Sequence, residues 1–581
     1  MRINSPGHSV FGFKILYLTF AIFFVVLFVK LFLIQVWGYS ELKQKAIDQQ
    51  LTKKSIAFKR GEILSSDGFV LATNNVTYNL IVNPNSVKNV DSFLNQITPL
   101  ILFKNDEERL KFLSNSKELI KPDLFYLILK KGLSQDEKDK LEETKVPSIY
   151  FEKEVKRFYP EGKLASSVLG FVASSETENQ KGYYGIEGRN DKLLKGREGR
   201  VIYERGADGE VILYGNYDKQ DSINGDSLVL TIDRSIQFIV EENLKKAVEQ
   251  HGAKSGQIIV MNPVNGDILG MASYPNFDPY DPYKEFLDEE GKVKSDIKNK
   301  CITDNIEPGS VIKPITVASA LDLGKITGAF EYDDNGPEFY SGFEVDNWDK
   351  KHLGHMGLID LLQKSNNIGA AKIGTIVGSS DLKSYFNKFG FARSTDVDLE
   401  GDERGYLKEG FWSDLDIASA SFGQGFTATP LQVLSSYTVF ANNGNLIRPK
   451  IIKVIKKVDG TEVRYPNLIE KEVLKPETAK FMDDLMTRSI KGNESKFYNI
   501  KNYNIAGKTG TAQIAKDGKY LENRTNALFV GYLSSTKKFS MIVRLEEPTS
   551  SSYAAETAVP VWMTTASELI KYFNLPPDIN N

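Results

Sequence analysis

The stretch Pro308-Gly309-Ser310-Val311-Ile312-Lys313 puts a hydroxyl and an amine three residues apart, a spacing that brings both to one face if a helix starts here. A serine hydroxyl attacks only after a base takes its proton, and a lysine can be that base only if burial or a second cation depresses its pKa. A helix start adds a modest positive partial charge where oxyanion character would develop. Pro314 disturbs the pattern: it restricts Lys313 away from helical angles, so an irregular first turn is expected. Taken alone the spacing is weak, because Ser-x-x-Lys also occurs at Ser40, Ser114, Ser295, Ser380, Ser534 and Ser535. Order strengthens it. Ser365-Asn366-Asn367 follows 55 residues later, and Lys508-Thr509-Gly510-Thr511, the only Lys-Thr-Gly in the chain, comes 143 residues after Ser365.

Around this stretch lies a chain of 581 residues, enough at about 150 per domain for three to four units. Apolar residues at 41% and charged residues at 26% are ordinary globular values. Seventy-three Lys and Arg against 76 Asp and Glu leave a net charge of -3, without the basic excess of a nucleic-acid binder. The single cysteine, Cys301, excludes intramolecular disulfides and cysteine-cluster metal sites, and reads as a packed thiol. The four histidines, His8, His251, His352 and His355, are few for a histidine-based hydrolase, so lysine or carboxylate chemistry is expected. His352-Leu353-Gly354-His355 could be half a metal site, but with no third ligand in view it reads as a polar loop.

Ile15 to Ile34 carries one charge, Lys30, and its 20 residues cover about 30 Å of hydrocarbon as a helix. It reads as a retained membrane anchor rather than a cleaved signal, since Gln35-Val36-Trp37-Gly38-Tyr39 lacks a small-residue cleavage site and places aromatics at an interface. Charge leaves its orientation open, with Arg2 and Lys14 before it and Lys43, Lys45, Lys53 and Lys54 after it.

Beyond the anchor, Arg60 to Leu64 and Asp67 to Ala72 read as short strands about an Asp-Gly turn. Charged, helix-period segments from about Ser86 to Glu143 read as a solvated helical insertion. Glycine-rich and polar runs at Tyr183 to Gly199 and Asp218 to Asp226 suggest a boundary near residue 225. Further on, Ser235 to Gln250 has a helical pattern, and strands Gly256 to Asn262 and Asp267 to Ala272 flank the hairpin signal Asn265-Gly266. Ala527 to Tyr532 and Phe539 to Leu545 read as a second antiparallel pair, and Val561 to Phe573 as a closing helix stopped by Pro576-Pro577. Strands at both ends with helices between them imply an α+β domain.

The three motifs in this order, with Arg60-Gly61, Asp67-Gly68, Arg157-Phe158-Tyr159-Pro160, Gly185-Ile186-Glu187-Gly188, Leu230-Thr231-Ile232-Asp233, Glu307-Pro308-Gly309-Ser310, Gly423-Gln424-Gly425, Thr429-Pro430-Leu431-Gln432 and Phe529-Val530-Gly531, resemble the class B penicillin-binding proteins over nearly the whole chain. Among these it is most similar to the cell-division member, with the elongation member second. The resemblance implies a cytoplasmic tail at 1-14, a transmembrane helix at 15-37, a β-rich pedestal at 38-225 with its helical insertion at about 86-150, a transpeptidase domain of antiparallel sheet with helices on both sides at 226-575, and a tail at 576-581.

It also implies roles. Ser310 would be the acylated nucleophile, Lys313 its base, and Ser365 a relay to the departing amine, with Asn367 bonding the donor amide. Lys508 would keep Lys313 partly neutral, Thr509 and Thr511 would hold the substrate carboxylate, and Gly510 would leave room for substrate along the strand. The backbone N-H groups of Ser310 and Thr511 would form the oxyanion hole. No metal or cofactor is implied. Peptidoglycan stem peptides would be substrates and β-lactams covalent inhibitors, and a polytopic glycan polymerase and divisome proteins would be partners. Since peptidoglycan lies outside the membrane, the catalytic part would too. A D,D-carboxypeptidase, a penicillin-recognising sensor and a noncatalytic scaffold are the rival readings.

Overall fold

The computed structural model describes residues 10-122, 124, 126-146, 148-173, 180-204, 217-284, 297-493, 495, 498-516 and 519-578. Most of the expected tail at 1-14 and the last three residues of the tail at 576-581 lie outside them. The chain divides into two compact units.

The smaller unit takes in residues up to Phe58 and Arg197–Ile223. Its apolar residues form the helix Val10–Phe32 and a π-helical turn, Leu33–Trp37. Side chains from Phe13 to Phe32 are exposed, and Gly12–Trp37 is long and apolar enough to cross a membrane. A second helix, Tyr39–Gln50, leads into the strand Leu51–Ile56, which pairs antiparallel with Gly199–Glu204; that strand pairs in turn with Tyr217–Gln220.

The larger unit is built on two main sheets. One runs in the order Glu462–Arg464, Ile452–Lys456, Ser227–Leu230, Ile63–Leu64, Val70–Val82, Leu127–Leu133, with Ile149–Phe158 also pairing with Val70–Val82. Residues on both sides of position 225 share this sheet, and one apolar core holds Ile63, Leu71 and Val168 together with Ile259, Phe386 and Val530. The compositional break near 225 is therefore no break in packing. The segment read as a solvated helical insertion holds three helices, Val90–Ile97, Asp106–Leu119 and Gln135–Glu143. It also contains the strand Leu127–Leu133 and a small core of its own, in which Phe93, Leu94, Ile97, Ile120, Leu133 and Leu141 bury against Leu80 and Val82. Its charges hid that core because they occupy the outer faces.

The second sheet is antiparallel throughout, in the order Ile268–Tyr274, Ser255–Met261, Ser540–Glu546, Lys519–Leu533, Ile505–Lys516. Its inner strands carry apolar runs such as Ile258-Ile259-Val260-Met261 and Met541-Ile542-Val543 because both faces are covered there. With a side-chain period of two, Ile258, Val260, Phe529 and Val543 face the helices Arg234–His251 and Ala558–Tyr572. Ile259, Met261, Val530 and Ile542 join the core that contains the helices Lys313–Asp322 and Pro430–Ala441. The Asn265-Gly266 turn sits where expected, with Gly266 at φ +78°. The closing helix begins three residues earlier than the pattern suggested, at Ala558, because Pro560 in a first turn removes no hydrogen bond the helix needs.

Candidate active site

Ser310 lies in the 3₁₀ turn Gly309–Ile312, which runs directly into the helix Lys313–Asp322. The expected irregular first turn is this 3₁₀ turn, but Lys313 itself is helical at φ -53°, ψ -42°. Pro314 is tolerated because it falls at the helix start, where its missing N-H would have no partner. The turn is fixed from outside. Gly309 N donates to Gly423 O at 2.9 Å, and Gly425 N donates to Glu307 Oε1 at 2.9 Å. A Cβ at Gly423 would sit 2.0 Å from Gly309 O, so this contact demands glycine.

The second motif supplies a bend. The helix Leu358–Lys364 ends at Ser365, which adopts the left-handed conformation at φ +54°, ψ 42°, and a new helix, Asn367–Val377, begins two residues on. Asn366 caps that helix by accepting from Gly369 N at 2.7 Å. The reversal presents Ser365 O, Ser365 Oγ and Asn367 Oδ1 to one point.

At that point stands the Lys313 amine. Its Nζ is 3.0 Å from Ser310 Oγ, 3.1 Å from Ser365 Oγ and 2.8 Å from Asn367 Oδ1, and it donates to Ser365 O. The third motif enters on the sheet-edge strand Ile505–Lys516, where Lys508 Nζ reaches Ser365 Oγ at 3.1 Å, Thr509 O at 3.1 Å and Thr509 Oγ1 at 3.3 Å. The two lysines are 0% and 1% exposed. Burial first, and then the charge of Lys508, hold the Lys313 amine well below the ordinary lysine range. A neutral amine has two N-H donors and one lone pair. Ser365 O and Asn367 Oδ1 are pure acceptors and take the donors, so the lone pair is left for a hydroxyl proton from Ser310 or Ser365. The arrangement can deprotonate Ser310 and pass its proton along Ser365.

All eight residues singled out from the sequence occur here: Ser310, Lys313, Ser365, Asn367 and Lys508 converge, while Thr509, Gly510 and Thr511 follow on the same strand. Three contacts add to the expectation. Asn367 is already engaged, its Oδ1 by Lys313 and its Nδ2 by Asp346 O at 2.9 Å. Thr511 Oγ1 accepts from Ala554 N at 3.2 Å. A Cβ at Gly510 would meet Pro308 O and Val311 Cγ1 at 3.0 Å each, so the turn carrying the nucleophile is pressed against this strand and leaves little room for a side chain.

The motifs did not reveal Asp334, Asn347 and His352. Asp334 is fully buried and bonds Asn347, Asn366 and His352. Phe339-Tyr340-Ser341-Gly342-Phe343, apolar residues about a Ser-Gly turn, was the available signal: it forms a hairpin, and Asp334 then pairs across to Gly354. His352 and His355 part company, the latter meeting Asp333 and Glu331 at 3.0 Å. Among the described residues no group of three His, Cys, Asp or Glu is placed to hold a metal ion.

An α+β fold with a serine, two lysines and a Ser-x-Asn bend at one sheet edge defines a class of acyl-transfer site. The penicillin-binding protein transpeptidase domain matches residues 256-563, and the penicillin-binding protein dimerisation domain matches residues 55-230. The chain is 30% identical to stage V sporulation protein D of Bacillus subtilis over 82% of its own length and 72% of that protein's. It is also 30% identical to the peptidoglycan D,D-transpeptidase FtsI of Escherichia coli, over 78% and 73%. In fold it is similar to penicillin-binding protein 2X of Streptococcus thermophilus, with a TM-score of 0.77 at 22% identity over 90% of this chain and 80% of that one. The chain belongs to the class B penicillin-binding proteins and is most like the cell-division type.

Proposed function

We propose that this chain is a serine-type peptidoglycan D,D-transpeptidase of septal wall synthesis. One observation carries the mechanism: the Lys313 and Lys508 amines both lie 3.1 Å from Ser365 Oγ, with Ser310 Oγ 3.0 Å from Lys313. Lys313 takes the Ser310 proton as Oγ attacks the penultimate D-Ala carbonyl of a stem peptide. The Ser310 O-C bond forms, the C-N bond to the terminal D-Ala breaks, and Ser365 relays the proton to the departing amine. An amine of a neighbouring peptide then takes the acyl group by the reverse route and leaves a cross-link. The N-H groups of Ser310 and Thr511 hold the developing oxyanion, each such donor being worth about 3 kcal/mol of barrier. Thr509 and Thr511 share one face of the edge strand and receive the substrate carboxylate. Asn367 Nδ2 carries a second hydrogen for the donor peptide.

Met1 to Lys14 lie in the cytoplasm in this reading, and the catalytic part lies outside. In this reading residues 38-225 are the pedestal and 226-575 the transpeptidase domain. A polytopic glycan polymerase and divisome proteins meet the chain at the membrane, and β-lactams acylate Ser310. Fluorescent penicillin with peptide mapping tests the chemistry: one adduct is expected, on Ser310, and none in Ser310→Ala. Equal labelling of that variant defeats the assignment. A tagged protein should concentrate at the septum, and a purely lateral signal would refute the division role.

A further inference from the structure

Asp334, a carboxylate with no exposed surface, ends the strand Glu331–Asp334. Its oxygens accept from His352 Nδ1 at 2.9 Å, Asn366 Nδ2 at 2.7 Å, Asn347 Nδ2 at 3.0 Å and Leu353 N at 3.4 Å. Two of these donors lead to the reacting groups. Asn366 is the cap that starts the helix after Ser365. Asn347 Oδ1 accepts from Asn367 N at 3.0 Å, and Asp346 O, one residue earlier, accepts from Asn367 Nδ2. Asn367 Oδ1 then meets Lys313 Nζ at 2.8 Å. The backbone and the side chain of Asn367 are thus both set by groups tied to one buried carboxylate. The left-handed turn at Ser365, a conformation that non-glycine residues hold only when their surroundings enforce it, immediately precedes the two residues that these ties hold.

An isolated buried carboxylate is unfavourable unless a cation faces it. His352, a quarter exposed, faces it, with Nε2 turned to Asp346 Oδ1 at 3.5 Å. Asp349 adds to the negative field about the ring, while Lys351 lies 3.9 Å from Asp349. The hydrogen bond to Asp334 is the first cause holding the His352 ring above its ordinary pKa.

We propose that Asp334, charge-paired with His352, is the positioning residue that fixes the Ser365–Asn367 turn against Lys313. This makes acylation sensitive to a histidine that touches no substrate. The inference rests on the acyl-enzyme reading above and names a part of its machinery. In Asp334→Asn the amide would offer one acceptor and one donor group to four donors, leaving buried N-H groups unpaired.

The test measures second-order acylation of the full-length protein by fluorescent penicillin between about pH 6 and pH 9, either side of the ordinary histidine pKa. Asp334→Asn should slow acylation about 10- to 100-fold, the scale of a small misplacement of reacting groups. His352→Gln keeps a hydrogen-bond donor but loses the charge. The charge is present below the raised histidine pKa and lost above it. Wild type should therefore outpace His352→Gln about fivefold at the acid end, as when a charge-assisted hydrogen bond becomes a neutral one, and the two rates should converge at the alkaline end. A rate ratio that does not change with pH, or Asp334→Asn acylating at the wild-type rate, overturns the proposal. Should Asp334→Asn fail to fold, the His352→Gln pH profile decides alone. Ser310→Ala in the same assay separates the two readings: residual labelling there defeats the acyl-enzyme, whereas its loss beside a normal Asp334→Asn rate defeats the positioning role only.

Discussion

Two clusters of buried charge behave in opposite ways. On the short helix Gly185–Arg189, Glu187 lies between two arginines, with Oε2 2.6 Å from Arg60 Nε and Oε1 2.6 Å from Arg157 Nε, and Arg60 also meets Asp191 at 2.7 Å. At the sheet edge, Lys313 and Lys508 are as deeply buried, yet they share a serine hydroxyl and no carboxylate contacts Lys313 among the described hydrogen bonds. Burial opposes the charge of Arg60, but Glu187 and Asp191 outweigh it and raise its pKa; burial and the neighbouring cation both lower that of Lys313. The first arrangement pairs opposite charges and ties distant segments together. The second discharges an amine and so makes a base. Buried charge by itself says little about function, and the sign of its neighbours decides.

Substitutions can sharpen that contrast. Lys313→Ala should slow penicillin acylation by about 10² to 10⁴, the usual worth of a positioned base, while moving the thermal midpoint less than any change at Glu187. Glu187→Gln should destabilise by about 3 to 5 kcal/mol in denaturant titrations, because buried Arg157 loses its carboxylate and Arg60 keeps only Asp191. The acylation rate of the molecules that remain folded should not change. If it falls as far as in Lys313→Ala, the division of roles is wrong. Lys508→Ala removes the cation that adds to burial in lowering the Lys313 pKa. Acylation needs neutral Lys313 and fails as pH drops through its pKa, so the acid limb of the pH profile should move up. A limb that stays put or moves down would show that Lys508 does not tune the base. The smallest effect is expected at Gly510→Ala, where the new methyl group pushes on Pro308 O and Val311 and should slow acylation about tenfold with little change in the pH profile.

Much of this was legible in advance. Ser310, Lys313, Ser365 and Lys508 were found by the order of three short motifs, and the strands around Asn265-Gly266 by their turn and apolar runs. The reversal at Ser365 was not legible, since no pattern in Ser-Asn-Asn announces a left-handed residue between two helices. His352 read as part of a polar loop because its partner, Asp334, lies 18 positions away beyond a hairpin. The insertion at 86-150 read as solvated because surface charges outnumber the few residues of its core.

The sequence by itself determined the chemical groups available, a serine, two amines and a second hydroxyl, and the local elements that carry them, because turn chemistry and side-chain periodicity act over a few residues. Only the tertiary structure decided that these groups meet. Both amines are buried by side chains far along the chain, and the protonation of Lys313 follows from what packs around it.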